Sequence, residues 1–201
     1  MAGLRVLQVL ADTDDSDDAR FALDLHAGLA SRSIEVRTVA LGPGRRGGLE
    51  ALVPVLGPSR RSIAAHTQLR REQRWADVVV LRGEAPAAVA GLAGIGGGPP
   101  LVLALVEEPG RWRTRPVPSR VRRLLARGPA VVVTDPASAS SLLEALGSDG
   151  PDARGPSVVP YGVDLSSPPT SPVQRRAARL QLDLPTDGVV ARFVGFPGPD
   201  D

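Results

Sequence analysis

The chain has no cysteine, no lysine and no asparagine, and its 201 residues include only two histidines, His26 and His66. The missing cysteine excludes thiol nucleophiles, disulfides and cysteine-ligated zinc. The missing lysine excludes a Walker-type phosphate loop and a Schiff base with pyridoxal phosphate. Two histidines cannot make a three-histidine zinc site, and H-E-x-x-H does not occur. Without asparagine there is no N-glycosylation acceptor. Aromatic residues are scarce: three Phe, two Trp and one Tyr. Ala, Val and Leu must therefore fill the core. No apolar run approaches the ~20 residues needed to span a bilayer. A net charge of +2, with Arg as the only basic residue besides histidine, gives no support for nucleic-acid binding. The expectation is a cytoplasmic protein that can dock peripherally at the inner membrane face.

What is present is a regular alternation of apolar runs and amphipathic segments. Residues 4–11 form an apolar run that stops at an acidic stretch, which predicts a buried strand. Phe21, Ala22, Leu25, Leu29 and Ala30 then recur at three- and four-residue spacing, one face of a helix. Asp17 and Asp18 fall in its first turn, at the positive end of the helix dipole. Further strands are predicted over 34–41, 77–81, 101–106 and 130–134. Between them lie mostly helical material over 49–75, broken around 54–58, an Ala-rich helix from Pro86, a basic helix over 117–127 and a helix over 138–146.

Continuous apolar strands alternating with helices predict a doubly wound, mostly parallel α/β domain. In such folds ligands sit beyond the carboxyl ends of the strands. The loops to inspect are therefore 12–18, 42–48, 82–85, 107–116 and 135–137. From residue 147 glycine and proline become dense, with a short strand over 157–159, a helix over 173–182 and a strand over 189–195. That last strand has no partner of its own. The expected organisation is a domain over 1–165, a linker and helix over 166–188, and the first strand of an incomplete second domain over 189–201.

Several motifs compete for attention. Gly42-Pro-Gly-Arg-Arg-Gly47 matches G-x-G-x-x-G but follows the second strand, with no acidic residue about 20 positions on, and so reads as a turn. Asp12-Thr-Asp14 resembles the D-x-D-x-[ST] opening of haloacid-dehalogenase-like phosphatases, in which Asp12 would attack phosphorus and Asp14 would handle the proton beside Mg²⁺. That resemblance implies a later lysine, which this chain lacks. The same residues resemble the D-x-D metal clamp of GT-A glycosyltransferases, where the motif lies mid-chain. The plain reading is a solvated acidic helix N-terminus.

Arg111, Arg113, Arg115, Arg120, Arg122, Arg123 and Arg127 form a basic stretch around Trp112 that could hold an anionic lipid head group or a phosphorylated acceptor. Its plain reading is a solvated helix face. Glu107 and Glu108 follow a strand end, a good place for chemistry. His26 and His66 read as ordinary packed or surface imidazoles.

The segment Val158-Val-Pro-Tyr-Gly-Val-Asp-Leu165 resembles the V-I-P-N-G-V-D hinge of family-4, GT-B glycosyltransferases. Arg179-Leu-Gln-Leu-Asp-Leu-Pro185 and Ala191-Arg-Phe-Val-Gly195 resemble the continuation of that hinge, and residues 22–36 resemble the family's first helix and second strand. The resemblance implies one half of a two-domain enzyme: a Rossmann-like N-terminal half that holds the acceptor and faces a nucleotide-sugar domain. Retaining transfer would stabilise an oxocarbenium-like transition state and a leaving diphosphate by positioned charges. The family's donor-binding Arg and Lys and its E-x7-E carboxylates belong to the second domain. The resemblance also marks departures: an acidic 12–18 loop where the family has glycines, Val106 and Arg82 near its histidine positions, and Tyr161 for the hinge asparagine.

The leading expectation is thus a glycosyltransferase-like N-terminal domain, inactive as an isolated chain. No catalytic residue, metal ligand or cofactor contact is assigned, and a nucleotide-sugar donor is expected only with a complete second domain. Asp12, Arg82, Glu107, Glu108, Arg111, Trp112 and Arg113 are the candidate acceptor or lipid contacts. A separately encoded donor half and an acidic membrane surface are the expected partners, and nucleic acid is not. The alternatives are a non-catalytic binding or scaffold module, and a Mg²⁺-dependent phosphohydrolase using Asp12 and Asp14.

Overall fold

The computed structural model describes residues 3–46, 48–92, 98–105, 116–147, 155–160, 171–181 and 185. Six strands make one parallel sheet: β1 (Arg5–Leu10), β2 (Glu35–Ala40), β3 (Val78–Arg82), β4 (Leu101–Leu105), β5 (Ala130–Val133) and β6 (Ser157–Val158), in the order β2-β1-β3-β4-β5-β6. Among the described residues the helices are α1 (Asp17–Ala30), α2 (Ile63–Trp75), α3 (Glu84–Leu92), α4 (Ser119–Leu125), α5 (Pro136–Leu146) and α6 (Pro172–Gln181). The fold is a doubly wound α/β sheet, as the alternation of apolar strands and amphipathic helices requires. The chain divides into two units, Met1–Tyr161 and Gly162–Asp201. In the second, α6 opens on a reciprocal cap in which Ser171 Oγ accepts from the Gln174 amide and Gln174 Oε1 accepts from the Ser171 amide.

The two faces of the sheet are built differently. Successive strand residues point to opposite sides. Leu7, Val9, Leu81, Leu103, Val131 and Val133 pack with Leu69 of α2, Val89 of α3, Leu124 of α4 and Leu142 of α5 in one apolar core. The other side carries Gln8, Thr38 and Arg82, all buried, and a smaller cluster of Leu10 and Ala40 with Ala19 and Ala22 of α1. Gln8 shows why its strand is not apolar throughout. Its amide nitrogen donates to the Ala22 carbonyl at 2.9 Å and to Thr38 Oγ1 at 3.2 Å, tying α1 and β2 to β1. His26, read as an ordinary imidazole, joins this network through Nδ1, 3.0 Å from Thr38 Oγ1.

Local signals set most boundaries. Ser16, Ser62 and Asp135 each cap a helix by accepting the amide hydrogen three residues on. Asp135 also moves the start of α5 to Pro136, two residues before the sequence pattern begins. The helical material expected over 49–75 is corrected to α2 alone. Residues 49–62 instead run in turns, with a parallel bridge between Ala40 and Val55. Pro54, Gly57 and Pro58 explain the difference, since proline removes a helix donor and glycine opposes helix entropically.

Candidate functional site

In a doubly wound sheet the crevice for ligands opens where the strand order reverses, which here is between β1 and β3. Two side chains occupy it. Arg82, the last residue of β3, is only 1% exposed and donates through Nε at 2.9 Å and Nη2 at 2.6 Å to Asp18 Oδ1 in the first turn of α1. Its guanidinium also lies 4.7 Å from the centroid of the Phe21 ring. Burial pushes the Asp18 carboxyl above the usual carboxylate range, and Arg82 works against that shift. Arg82, an expected acceptor contact, is thus held by Asp18 at the crevice.

The acidic 12–18 loop is not simply a solvated helix N-terminus, and that expectation is corrected. Arg60 Nη2 pairs with Asp12 Oδ2 at 3.1 Å, while Asp12 Oδ1 accepts from the Asp14 amide. Asp14 Oδ1 accepts from the Arg46 amide at 2.7 Å. Asp15 is paired with Arg20, which holds its carboxyl below the usual range. Buried Thr13 accepts from the Gly44 amide and donates to Glu50, whose other oxygen accepts from the Gly48 amide. The loop after β1 is therefore zipped to the loop after β2. Among the described residues no group of three or more His, Cys, Asp or Glu side chains is placed to hold a metal ion.

Glycines permit this closeness. A Cβ on Gly44 would sit 2.6 Å from the Asp14 backbone nitrogen, and one on Gly42 would sit 2.7 Å from the Arg60 nitrogen. The G-x-G stretch is thus a packing device joining three loops.

Beside the zipped loops lies a cleft of ≈ 700 Å³. Arg45, Arg60, Arg61, Arg120 and His66 line it, and Ala85, Ala88 and Val89 of α3 give it an apolar wall. Among the described residues no carboxylate lines it. The parallel sheet brings these groups together, because every helix that follows a strand begins at the same, carboxyl edge. Arg45 comes from the loop after β2, Arg60 and Arg61 from just before α2, and Arg120 from the first turn of α4. His66 Nδ1 is 2.9 Å from the Ser62 carbonyl and so carries its proton, leaving Nε2 as the second nitrogen.

The sequence singled out Arg45 only as part of a loop, Arg120 only as part of a basic stretch, and Arg60 and Arg61 not at all. An Arg doublet ahead of a Ser cap is the one local signal that could have found them. The solvated-face reading of the basic stretch is corrected at Arg122, whose Nη2 donates to the Ala145 carbonyl near the end of α5 at 2.7 Å. Glu107, Glu108, Arg111, Trp112 and Arg113 lie outside the described residues, as do 161–165 of the hinge segment and the strand expected over 189–195.

Residues 19–167 match Glycosyltransferase Family 4. The chain belongs to that family. Its fold also matches the crystal structure of Anabaena Alr3699/HepE in complex with UDP and glucose, with a TM-score of 0.66 at 15% identity. The alignment covers 90% of this chain and 50% of HepE, so the chain spans half the length of that structure. At this identity the likeness is one of fold. No curated protein matches the chain by sequence. Within family 4 this member has a switch-point crevice filled by Arg82 and Asp18, and an open arginine cleft next to it. No described helix is long and apolar enough to cross a membrane.

Proposed function

We propose that this chain is the acceptor-side domain of a two-domain, GT-B glycosyltransferase and performs no sugar transfer by itself. The family-4 match over residues 19–167 carries the reading. The filled crevice supports it. With Arg82 and Asp18 locked together at the usual nucleotide position of a doubly wound sheet, the Arg82 guanidinium is not free to hold a diphosphate. A leaving nucleotide diphosphate needs donors aimed at the charge it develops, and losing one such donor costs about 2.7–4 kcal/mol. In this reading those donors come from a partner nucleotide-sugar domain, on the same polypeptide or separately encoded. The role of this chain is to bind and orient the acceptor beside the donor, which converts an encounter into a positioned reaction.

The test is to incubate the purified chain with a panel of nucleotide-sugars and candidate acceptors, measuring transfer and equilibrium nucleotide binding. The expected result is acceptor retention without transfer and without tight binding of UDP, the nucleotide in the HepE complex. Sugar transfer by this chain alone overturns the proposal. So does Mg²⁺-dependent hydrolysis of p-nitrophenyl phosphate that is lost in Asp12→Asn, which would assign the chain to phosphate-ester hydrolysis.

A further inference from the structure

We propose that the arginine cleft is a phosphate site, and that the acceptor it admits carries a phosphate monoester. The inference rests on the acceptor-side reading for the word acceptor, but the site itself stands on geometry. Four arginines from three separate segments line one concavity of ≈ 700 Å³ that has no acidic residue among its described lining. The whole chain is only +2, so this concentration of one sign is local.

The contrast within the cleft matters more than the count. Arg60 has Asp12 as a partner at 3.1 Å. Arg45, Arg61 and Arg120 have no carboxylate within ion-pair distance among the described residues, although the same edge of the sheet is rich in aspartate. Like charges gathered in a concave site repel one another, and their field concentrates an anion there. A carboxylate brings one negative charge. A phosphate monoester brings about −1.5 to −2 at neutral pH and three acceptor oxygens, a better match to three unpaired guanidiniums. The volume exceeds a bare phosphate and leaves room for a sugar-sized body against Ala85, Ala88 and Val89.

The frame of the site is set before any ligand arrives. The residues on both sides of Arg45 are fixed, Gly44 by its amide to Thr13 Oγ1 at 2.8 Å and Arg46 by its amide to Asp14 Oδ1 at 2.7 Å. Gly42 lets its loop approach the Arg60 backbone, and Ser62 caps α2 immediately after Arg61. The amino ends of α2 and α3 add positive dipole ends to the same region. The acidic loop thus acts as the scaffold on which the basic cleft is held.

Binding of inorganic phosphate, glucose 6-phosphate and glucose is to be measured by calorimetry at fixed ionic strength. Co-sedimentation with vesicles of phosphatidic acid and of phosphatidylcholine runs in parallel. The variants are Arg61→Gln, the triple Arg45→Gln/Arg61→Gln/Arg120→Gln, and Arg127→Gln as an exposed control outside the cleft, each checked for folding by circular dichroism. The expected result is binding of the phosphate probes but not of glucose, weakened at least tenfold in the triple variant and unchanged in the control. Binding of glucose 6-phosphate without vesicles assigns the phosphate to a small molecule. Sedimentation with phosphatidic acid that the triple variant abolishes assigns it to a lipid head group. Binding of neither probe, or phosphate binding indifferent to the triple variant, overturns the site. If an uncharged acceptor still binds in that case, the acceptor-side reading survives and only the phosphate inference falls. If phosphate binds but the chain transfers sugar alone, the reverse holds.

Discussion

Two neighbouring regions at the carboxyl edge of the sheet treat charge in opposite ways. In the 12–18 loop, Asp12, Asp15 and Asp18 each hold an arginine, and Asp14 holds a backbone amide. In the cleft, Arg45, Arg61 and Arg120 hold no carboxylate among the described residues. The matched region spends its charges on joining loops and closing the crevice between β1 and β3. In the unmatched region Arg45, Arg61 and Arg120 are left without such a partner among the described residues, which is the basis of the proposed phosphate site. A cluster of one sign is informative only after its internal partners are subtracted, and here the subtraction reverses the impression the sequence gives. The conspicuous acidic run is structural, and the inconspicuous arginines are the open ones.

The comparison breaks most visibly at Arg82. Replacing it with leucine leaves Asp18, which is only 27% exposed in its side chain, without a counter-charge. Removing one partner of a buried pair typically costs 3–5 kcal/mol, and about 3 kcal/mol is expected here because Asp18 can take up a proton. Urea unfolding measures it. A loss below about 1 kcal/mol would mean that the pair does not hold the crevice closed. Gly44→Ala comes next. Its Cβ would meet Asp14, so the zipped loops must part, at a cost of about 1–3 kcal/mol for overpacking. The same variant should loosen phosphate binding, since Arg45 follows directly; unchanged stability and unchanged binding together would show that the two regions are independent.

Ser62→Ala is a milder probe at the rim of the cleft. It removes the oxygen that accepts the Ala65 amide hydrogen and should cost about 1 kcal/mol without changing the charge of the site. Thermal unfolding reads the loss, and phosphate affinity should fall far less than in the arginine triple variant.

Acid gives the smallest effect, because the carboxylates concerned are exposed and such pairs contribute little. Arg5, first through its guanidinium and then its amide, holds Asp77 below the usual range. Arg20 does so for Asp15, and the backbone amides of Glu50 and Gly48 with the Thr13 hydroxyl do so for Glu50. The unfolded chain therefore takes up protons before the folded one. Stability present above the ordinary carboxylate pKa of about 4 is lost as pH falls through the lower folded values. Asp18 runs the other way: its raised value gives a contribution present at low pH and lost as pH rises through that value. The urea midpoint should fall below about pH 4, and Asp77→Asn should remove part of the slope. A midpoint that rises on acidification would mean Asp18 outweighs the exposed carboxylates.

What the sequence by itself determined is the layered architecture. Apolar runs such as 78–81 and Ala130–Val133 admit a buried parallel strand, and the spacing of Ala19 and Ala22, or of Ala65 and Leu69, admits a helix with one buried face. Caps at Ser16, Ser62 and Asp135 are local chemistry, readable within four residues. The stretch 49–62 departs from the helical expectation because its apolar residues pack as turns on β2 through Val53 and the Ala40–Val55 bridge, a tertiary choice that outweighs short-range periodicity. The site was decided entirely by the fold. Arg82 meets Asp18 across 64 positions of sequence, and Arg45, Arg61 and Arg120 share a cleft only because a parallel sheet starts its following helices at one edge. Sequence spacing carries period and propensity along the chain. Which charges find a partner, and which are left open, depends on distances between segments that only packing sets.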